Sequence, residues 1–457
     1  MVLLENCFYI ASFDEGKTYS SKDILIKGNR IHSVGVNLRK QINEKEDRII
    51  DCSDCVVIPG LVNTHHHFYQ TLTRNLPAVQ NAKLFDWLIY LYDIWKNIDE
   101  EAVYYSSLLA MGELLKTGCT LTTDHHYVFP QNVSGDLIGI QFEAASKLGM
   151  RFSPSRGSMS LSKKNGGLPP DSVVQTEDKI LEDSIRLIQL FHNPSEDSMR
   201  KIVLAPCSPF SVTPGNLKDT AKLAREYGVR LHTHLAETID EEEYCRSKTG
   251  KNPLALMVEV DFIGEDVFYA HGIHFNDDEL KVLAETKTSI AHCPSSNMRL
   301  GSGIARVTEM KKMGINVGIG VDGSASNDCS DMLGEVRNAM LLQRVKYGAD
   351  ALTAEGAFEL CIKGGARILN YQKTGTIKEG YLADMALFNI NKLEYTGSLS
   401  DPLAALIFTG ISHQAEYTIV NGKVVVEKGR LVGEDEDVII KNGNEIAARL
   451  FNSYSKS

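Results

Sequence analysis

Nowhere in the 457 residues does an apolar run approach the roughly 20 needed to cross a bilayer, and the opening Met1-Val2-Leu3-Leu4-Glu5-Asn6 has no basic flank leading into an apolar stretch. A membrane role is disfavoured, and the cytosol is the expected compartment. There is no dense Lys/Arg run either, and 48 basic against 59 acidic residues leave a net charge of -11, the wrong sign for a protein that wraps phosphate. A small-molecule partner is favoured over nucleic acid. The nine cysteines are scattered and odd in number, which suits reduced thiols better than a disulfide framework. Cys52-Ser53-Asp54-Cys55 has no second Cys-X-X-Cys to complete a zinc site and reads as structural. No sequence repeat stands out, and the acidic patch Glu434-Asp435-Glu436-Asp437 reads as a solvated loop. With 43% hydrophobic and 23% charged residues, the rest is an ordinary globular composition that can bury a large core.

Both ends of the chain look β-rich. Ile24-Leu25-Ile26 and Ile31 to Val34 flank Gly28-Asn29, and Tyr417 to Val420 and Lys423 to Val426 flank Asn421-Gly422, a strong hairpin pattern. Between them, short apolar runs alternate with segments of helical period, as in βα units. The runs are Val56 to Ile58, Cys119 to Thr123, Arg151 to Ser155, Ile202 to Ala205, Arg230 to Leu235, Val267 to Ala270, Thr288 to Ala291 and Val317 to Val321. Helical stretches such as Glu101 to Lys116, Leu137 to Lys147 and Leu217 to Glu226 are followed closely by Gly118, Gly149 and Gly228, near C-terminal cap positions. Eight such units favour a closed barrel over an open sheet. The expected fold is therefore α/β: a (β/α)8 TIM-like barrel over 59–369, beside a small composite β-sandwich domain built from both termini, 1–58 plus 370–430. A C-terminal segment, 431–457, is expected to pack on the domain surface.

In such a barrel the active site lies at the C-terminal ends of the strands. Thr64-His65-His66-His67-Phe68 reads as extended chain, in which His65 and His67 share a face and His66 points away. Alone, that run is as easily an accident as half a metal site. Later strand ends carry His234, His271, His292 and Asp322, with Glu237 three residues beyond His234. His65, His67, His234 and Asp322 offer three nitrogens and one oxygen to a divalent metal of borderline softness, with an open position for water. Such a metal lowers the pKa of bound water towards about 7. Glu237 can then move protons, Asp322 can take the first of them, and His271 can steady the developing negative charge.

Four pieces resemble the amidohydrolase superfamily, in its cytosine/guanine deaminase and chlorohydrolase branch: Pro59 to His67, His232 to Thr238, Ala291 to Asn297, and Gly320-Val321-Asp322-Gly323. Gly375 to Asp384 resembles the return of that family's chain into its small β domain. The resemblance spans nearly the whole length. It implies a metal-dependent hydrolase of C–N bonds, with His65, His67, His234 and Asp322 as ligands, Glu237 as proton shuttle and His271 as orienting group. Some branches hold two metals bridged by a carboxylated Lys at the fourth strand; here Ile202 to Ala205 runs into Pro206-Cys207 with no Lys, so one divalent metal is expected, Zn2+ in preference to Fe2+. A homo-oligomer, dimer or larger, is the expected assembly.

Substrate choice is written in the loops. Gln70 lies just beyond the first-strand histidines and can both donate and accept, so it is the favoured reader of a base edge. Trp87, Arg156, Cys207 and Asn297 complete the expected substrate contacts. Guanine deaminases of this branch carry an Arg after the fourth-strand Pro where this chain has Cys207. Gln70 to Arg74, Ser155 to Ser160 and Pro206 to Phe210 most resemble the 8-oxoguanine deaminases. The expected reaction is 8-oxoguanine plus water giving urate and ammonia. Isoxanthopterin, guanine and hydroxyatrazine amines stand as alternatives, and a non-catalytic binding protein on the same fold as a remote one.

Overall fold

The computed structural model describes residues 1–41 and 48–454. Eight staves of parallel strand form the central sheet: β1 (Leu61–Asn63), β2 (Cys119–Thr122, continued by His125–His126), β3 (Arg151–Phe152, continued by Ser155–Ser158), β4 (Val203–Pro206), β5 (Arg230–Leu235), β6 (Val267–His271), β7 (Ser289–His292) and β8 (Val317–Ile319). Each pairs with the next, and β8 returns to β1 through Ile319 and Asn63. The second and third staves are both interrupted, yet they stay in register: Leu121 pairs with Arg151 below the break and His125 with Ser155 above it. The circuit closes into the expected barrel.

One strand differs from expectation. Val56 to Ile58 belongs to the small sheet, as Cys55–Pro59, and the barrel begins only at Leu61. Gly60 makes the crossing. A Cβ there would lie 1.9 Å from Thr120 Oγ1, so no other residue lets the chain turn so close to the second stave.

The two ends of the chain do pair, through Cys55–Pro59 antiparallel to Met385–Asn389. They form one hydrogen-bonded sheet, not two stacked ones. Its path runs Arg430–Leu431, Lys423–Glu427, Tyr417–Val420, Met385–Asn389, Cys55–Pro59, Val2–Ala11, Thr18–Lys27 and Arg30–Gly35, with Arg48–Asp51 beside Val2–Ala11. Its apolar face gathers Leu4, Ile24, Ile31, Val57, Met385 and Ile419 into one core, which also holds Cys7, Cys52 and Cys55 as buried free thiols. The Asn421-Gly422 turn has positive φ at both residues, 52° and 76°, as a tight hairpin with right-handed strand twist requires.

Two helices follow β1. α1 (Leu84–Trp95) lies in the long first loop, and α2 (Glu100–Lys116) is capped by Asp99, whose carboxylate accepts from Ala102 N. The helix Glu436–Tyr454 packs on α1 and α2, and at its start Glu436 Oε1 accepts from Leu431 N of the small sheet at 3.0 Å. Glu436, expected in a solvated loop, opens this helix and pairs with Lys116 at 2.7 Å. Residues 455–457 of the expected terminal segment lie outside the described residues. Among the described residues, no helix is long and apolar enough to cross a membrane.

Candidate active site

The chain past β1 stays extended after the strand ends. His65 O accepts from Asp322 N at 3.0 Å and His66 O from His125 N at 2.7 Å, so the histidine run is clamped between the eighth and second staves. That clamp turns His65 and His67 inward. Their Nε2 atoms lie 3.3 and 3.2 Å from Asp322 Oδ1, and His67 Nε2 lies 3.1 Å from His234 Nε2. The four expected ligands therefore meet at one point. His66 points elsewhere, with Nδ1 accepting from His67 N and Nε2 2.9 Å from Ser330 Oγ.

The protonation of this cluster follows from its partners. His67 Nδ1 faces His125 O at 2.8 Å and His234 Nδ1 faces Cys207 O at 2.6 Å; a carbonyl only accepts, so each Nδ1 carries the proton. His232 Nδ1 likewise donates to Phe268 O, which leaves its Nε2 bare to accept from His65 Nδ1 at 2.8 Å. Burial pushes His65 and His232 well below the usual imidazole range and His234 to about 3, so these rings are neutral. Three bare Nε2 lone pairs and an anionic oxygen thus face one another within hydrogen-bond distance with no proton between them. A divalent cation would relieve that repulsion, and imidazole nitrogen plus carboxylate oxygen is the donor set of a metal of zinc or iron type. His125 joins the group, with a ligand atom within 4.8 Å of those of His65, His67 and His234.

Strained backbone aims the remaining side chains. Ala236, His271 and Asp322 have φ of 54°, 70° and 64°, a region costly for residues with a Cβ. All three sit where strand gives way to loop at the barrel mouth. Glu241 secures the first kink, its carboxylate accepting from Ala236 N at 3.0 Å and Glu237 N at 2.9 Å. Glu237 Oε2 lies 3.5 Å from His271 Nε2, which is 3.9 Å from Asp322 Oδ2. Burial, reinforced by the Asp322 charge, pushes the Glu237 carboxyl up to about 8, a value suited to a group that both takes and gives a proton near neutrality.

These groups open on a pocket at the barrel mouth, walled on one side by α1. Of the expected substrate contacts, Gln70, Trp87 and Cys207 line it. Gly323 leaves room for Gln70, since a Cβ there would lie 1.8 Å from Gln70 Oε1. Asn297 is not in the wall; its Oδ1 accepts from His271 Nδ1 at 3.0 Å, so it orients the imidazole. Arg156 is also absent from the wall. Strand alternation puts it on the outer face of β3, where Asp183 and Gln175 take its guanidinium at 3.0 and 2.8 Å and Phe129 lies beneath it. The sequence leaves the role of His232 open and puts Leu84 to Leu88 in a first loop that could line the pocket, but it does not single out Glu241 or Tyr92, which extends Leu84 and Leu88 into an α1 stripe. The signals were present: His232 shares a face with His234 by alternation, and 84, 88 and 92 are one helical stripe.

Against known proteins, the model of the amidohydrolase family matches residues 56–425. An 8-oxoguanine deaminase from Pseudomonas aeruginosa is 45% identical over 400 residues, covering 88% of each chain. A hydroxydechloroatrazine ethylaminohydrolase from Pseudomonas sp. is 33% identical over 95% of this chain and 92% of its own. The crystal structure of an atrazine chlorohydrolase from Arthrobacter aurescens TC1 complexed with zinc superposes with a TM-score of 0.93 at 30% identity, over 98% of this chain and all of that one. Barrel, small sheet and sequence match agree over nearly the full length, and the chain belongs to the amidohydrolase family.

Proposed function

We propose that the protein is a metal-dependent aminohydrolase that removes the 2-amino group of 8-oxoguanine, giving urate and ammonia. The observation that carries this reading is the 45% identity, over most of both chains, to an 8-oxoguanine deaminase, joined to a pocket wall that has the neutral Cys207 after the fourth-strand Pro. His65, His67, His234 and Asp322 are the ligands in this reading. One divalent cation, Zn2+ in preference to Fe2+, would supply there the Lewis acidity that activates water.

The chain's own residues do the rest. Gln70 reads the edge of the base, and Cys207 lets a neutral ring approach where an Arg would add charge. Asp322 and Glu237 stand ready to take the proton of the attacking water, and Glu237 delivers one to the ring nitrogen next to the amidine-like C2. His271, oriented by Asn297, steadies charge at the attacking oxygen. The tetrahedral C2 then expels ammonia. The same reading has the enzyme act on small heterocycles in the cytosol, as an assembly of two or more identical chains.

A steady-state panel of 8-oxoguanine, guanine, isoxanthopterin, cytosine and hydroxyatrazine tests the substrate. 8-Oxoguanine is expected to give the highest kcat/KM; faster turnover of a pterin or triazine would remove the substrate assignment and leave the site chemistry standing. Glu237→Gln is expected to retain metal, measured by elemental analysis, and to lose turnover. A fully active Glu237→Gln enzyme would refute the shuttle.

A further inference from the structure

The stripe that α1 turns to the pocket is apolar except at two atoms, the indole Nε1 of Trp87 and the hydroxyl of Tyr92. Both side chains are almost fully buried, 3% and 1% exposed, and neither atom has a hydrogen-bond partner among the described residues. The same helix shows what an ordinary buried indole does: Trp95, in edge contact with both rings at centroid distances of 5.5 Å from Trp87 and 5.8 Å from Tyr92, donates its Nε1–H to Thr73 Oγ1 at 3.1 Å. Two other buried tyrosines are likewise engaged, Tyr269 with Phe262 O and Tyr371 with Ser153 Oγ, whereas the Tyr69 hydroxyl also has no hydrogen-bond partner among the described residues. A buried polar atom left unpaired costs about 1–3 kcal/mol. Two of them on one wall of a ligand pocket are donors that a bound ligand can satisfy.

Their chemistry limits what they read. An indole N–H only donates. Burial raises Tyr92 well above the usual phenol range, so it too keeps its proton. The matching group is an acceptor with two lone pairs, a carbonyl oxygen. In an 8-oxopurine the C2 amine and the C8 oxygen stand at opposite ends of the bicycle, so a ring that presents C2 to Glu237 carries its second oxygen away from the barrel mouth. We propose that Trp87 Nε1–H and Tyr92 O–H form an oxo-reading subsite for the C8 carbonyl and set the preference for 8-oxoguanine over guanine. This inference rests on the deaminase reading above.

The test uses the metal-loaded enzyme and its Tyr92→Phe and Trp87→Phe variants. Two ratios are measured: kcat/KM for 8-oxoguanine over guanine, and affinity for urate over xanthine by calorimetry, a pair that differs at the same C8 oxygen and involves no turnover. In the parent enzyme both ratios are expected to be large, and each variant is expected to lower both by about ten- to a hundredfold, the worth of one buried hydrogen bond. Ratios that stay unchanged in both variants, while the parent enzyme still prefers 8-oxoguanine, overturn the subsite and leave the deaminase reading intact. A parent enzyme indifferent to the C8 oxygen overturns both. Trp87→Phe keeps an aromatic ring in the wall and carries the test if Tyr92→Phe fails to fold.

Discussion

His65 Nδ1 and His232 Nε2 lie 2.8 Å apart, so an imidazole outside the pocket decides which nitrogen of His65 is left bare. The chain of donation runs from His65 to His232 to the Phe268 carbonyl, and each link fixes the tautomer of the one before.

Replacing His232 by Phe keeps a flat ring stacked over Phe268 and removes the acceptor. His65 is then free to turn or to change tautomer. Metal affinity, measured by competition with a chelator, is expected to fall about 10- to 100-fold, as is typical when the partner of a ligating His is lost. His66→Ala, whose ring bonds Ser330, is expected to leave that affinity unchanged.

Gly323→Ala probes the pocket without touching a charged group. The new methyl would occupy the position of Gln70 Oε1, and the amide, the far end of a flexible side chain, must swing away. Steady-state kinetics are expected to show KM rising several-fold or more, with metal content and thermal midpoint close to those of the parent.

Arg151 and Asp384 tie the small sheet to the barrel. The pair is buried and bidentate, 2.8 Å from Nε to Oδ2 and 3.0 Å from the second guanidinium nitrogen to Oδ1, and Asp384 also accepts from Asn421 N. Asp384→Ala leaves the guanidinium with no counter-charge and is expected to cost about 3–5 kcal/mol in urea unfolding. Replacing both partners by apolar residues should cost less than either single change.

Acid should unfold this protein readily. His126 is buried, and burial, with Arg156 nearby, holds it at about 3. Its folded value lies below its unfolded one, so its contribution is full above about pH 6.5 and is lost as pH falls towards about 3. Between pH 6.5 and 5 that loss is about 2 kcal/mol. His126→Gln is expected to flatten the fall of the thermal midpoint across that window; a slope equal to the parent's would assign the acid sensitivity to other groups.

The site was far more legible in the sequence than the residues that surround it, and the reason is geometric. Strand alternation is a local rule, so His65 and His67 could be put on one face and His66 on the other from spacing alone, and the structure keeps that division. The same rule, applied to the right register, would have turned Arg156 outward. A family likeness cannot supply a register, and a guanidinium near a barrel looks like a substrate clamp until Asp183, on a separate helix, is seen beside it. Asn297 is a different case: its helix lies close to the site, and its Oδ1 is turned to His271. The first barrel strand was misplaced by a few residues because Val56 to Ile58 is the more apolar run, and nothing in a hydrophobic pattern distinguishes a strand of one sheet from a strand of the other.

The pairing of Cys55–Pro59 with Met385–Asn389 has a bearing on how the molecule is made. The strand that leads into the first stave of the barrel cannot complete its hydrogen bonds until Met385–Asn389 has left the ribosome. Until then its buried valines and isoleucine are an open sheet edge, the kind of surface that seeks other strands. Folding of this enzyme therefore waits on the arrival of Met385–Asn389, and expression at a lower rate of synthesis or with chaperones that shield strand edges should raise the yield of folded protein.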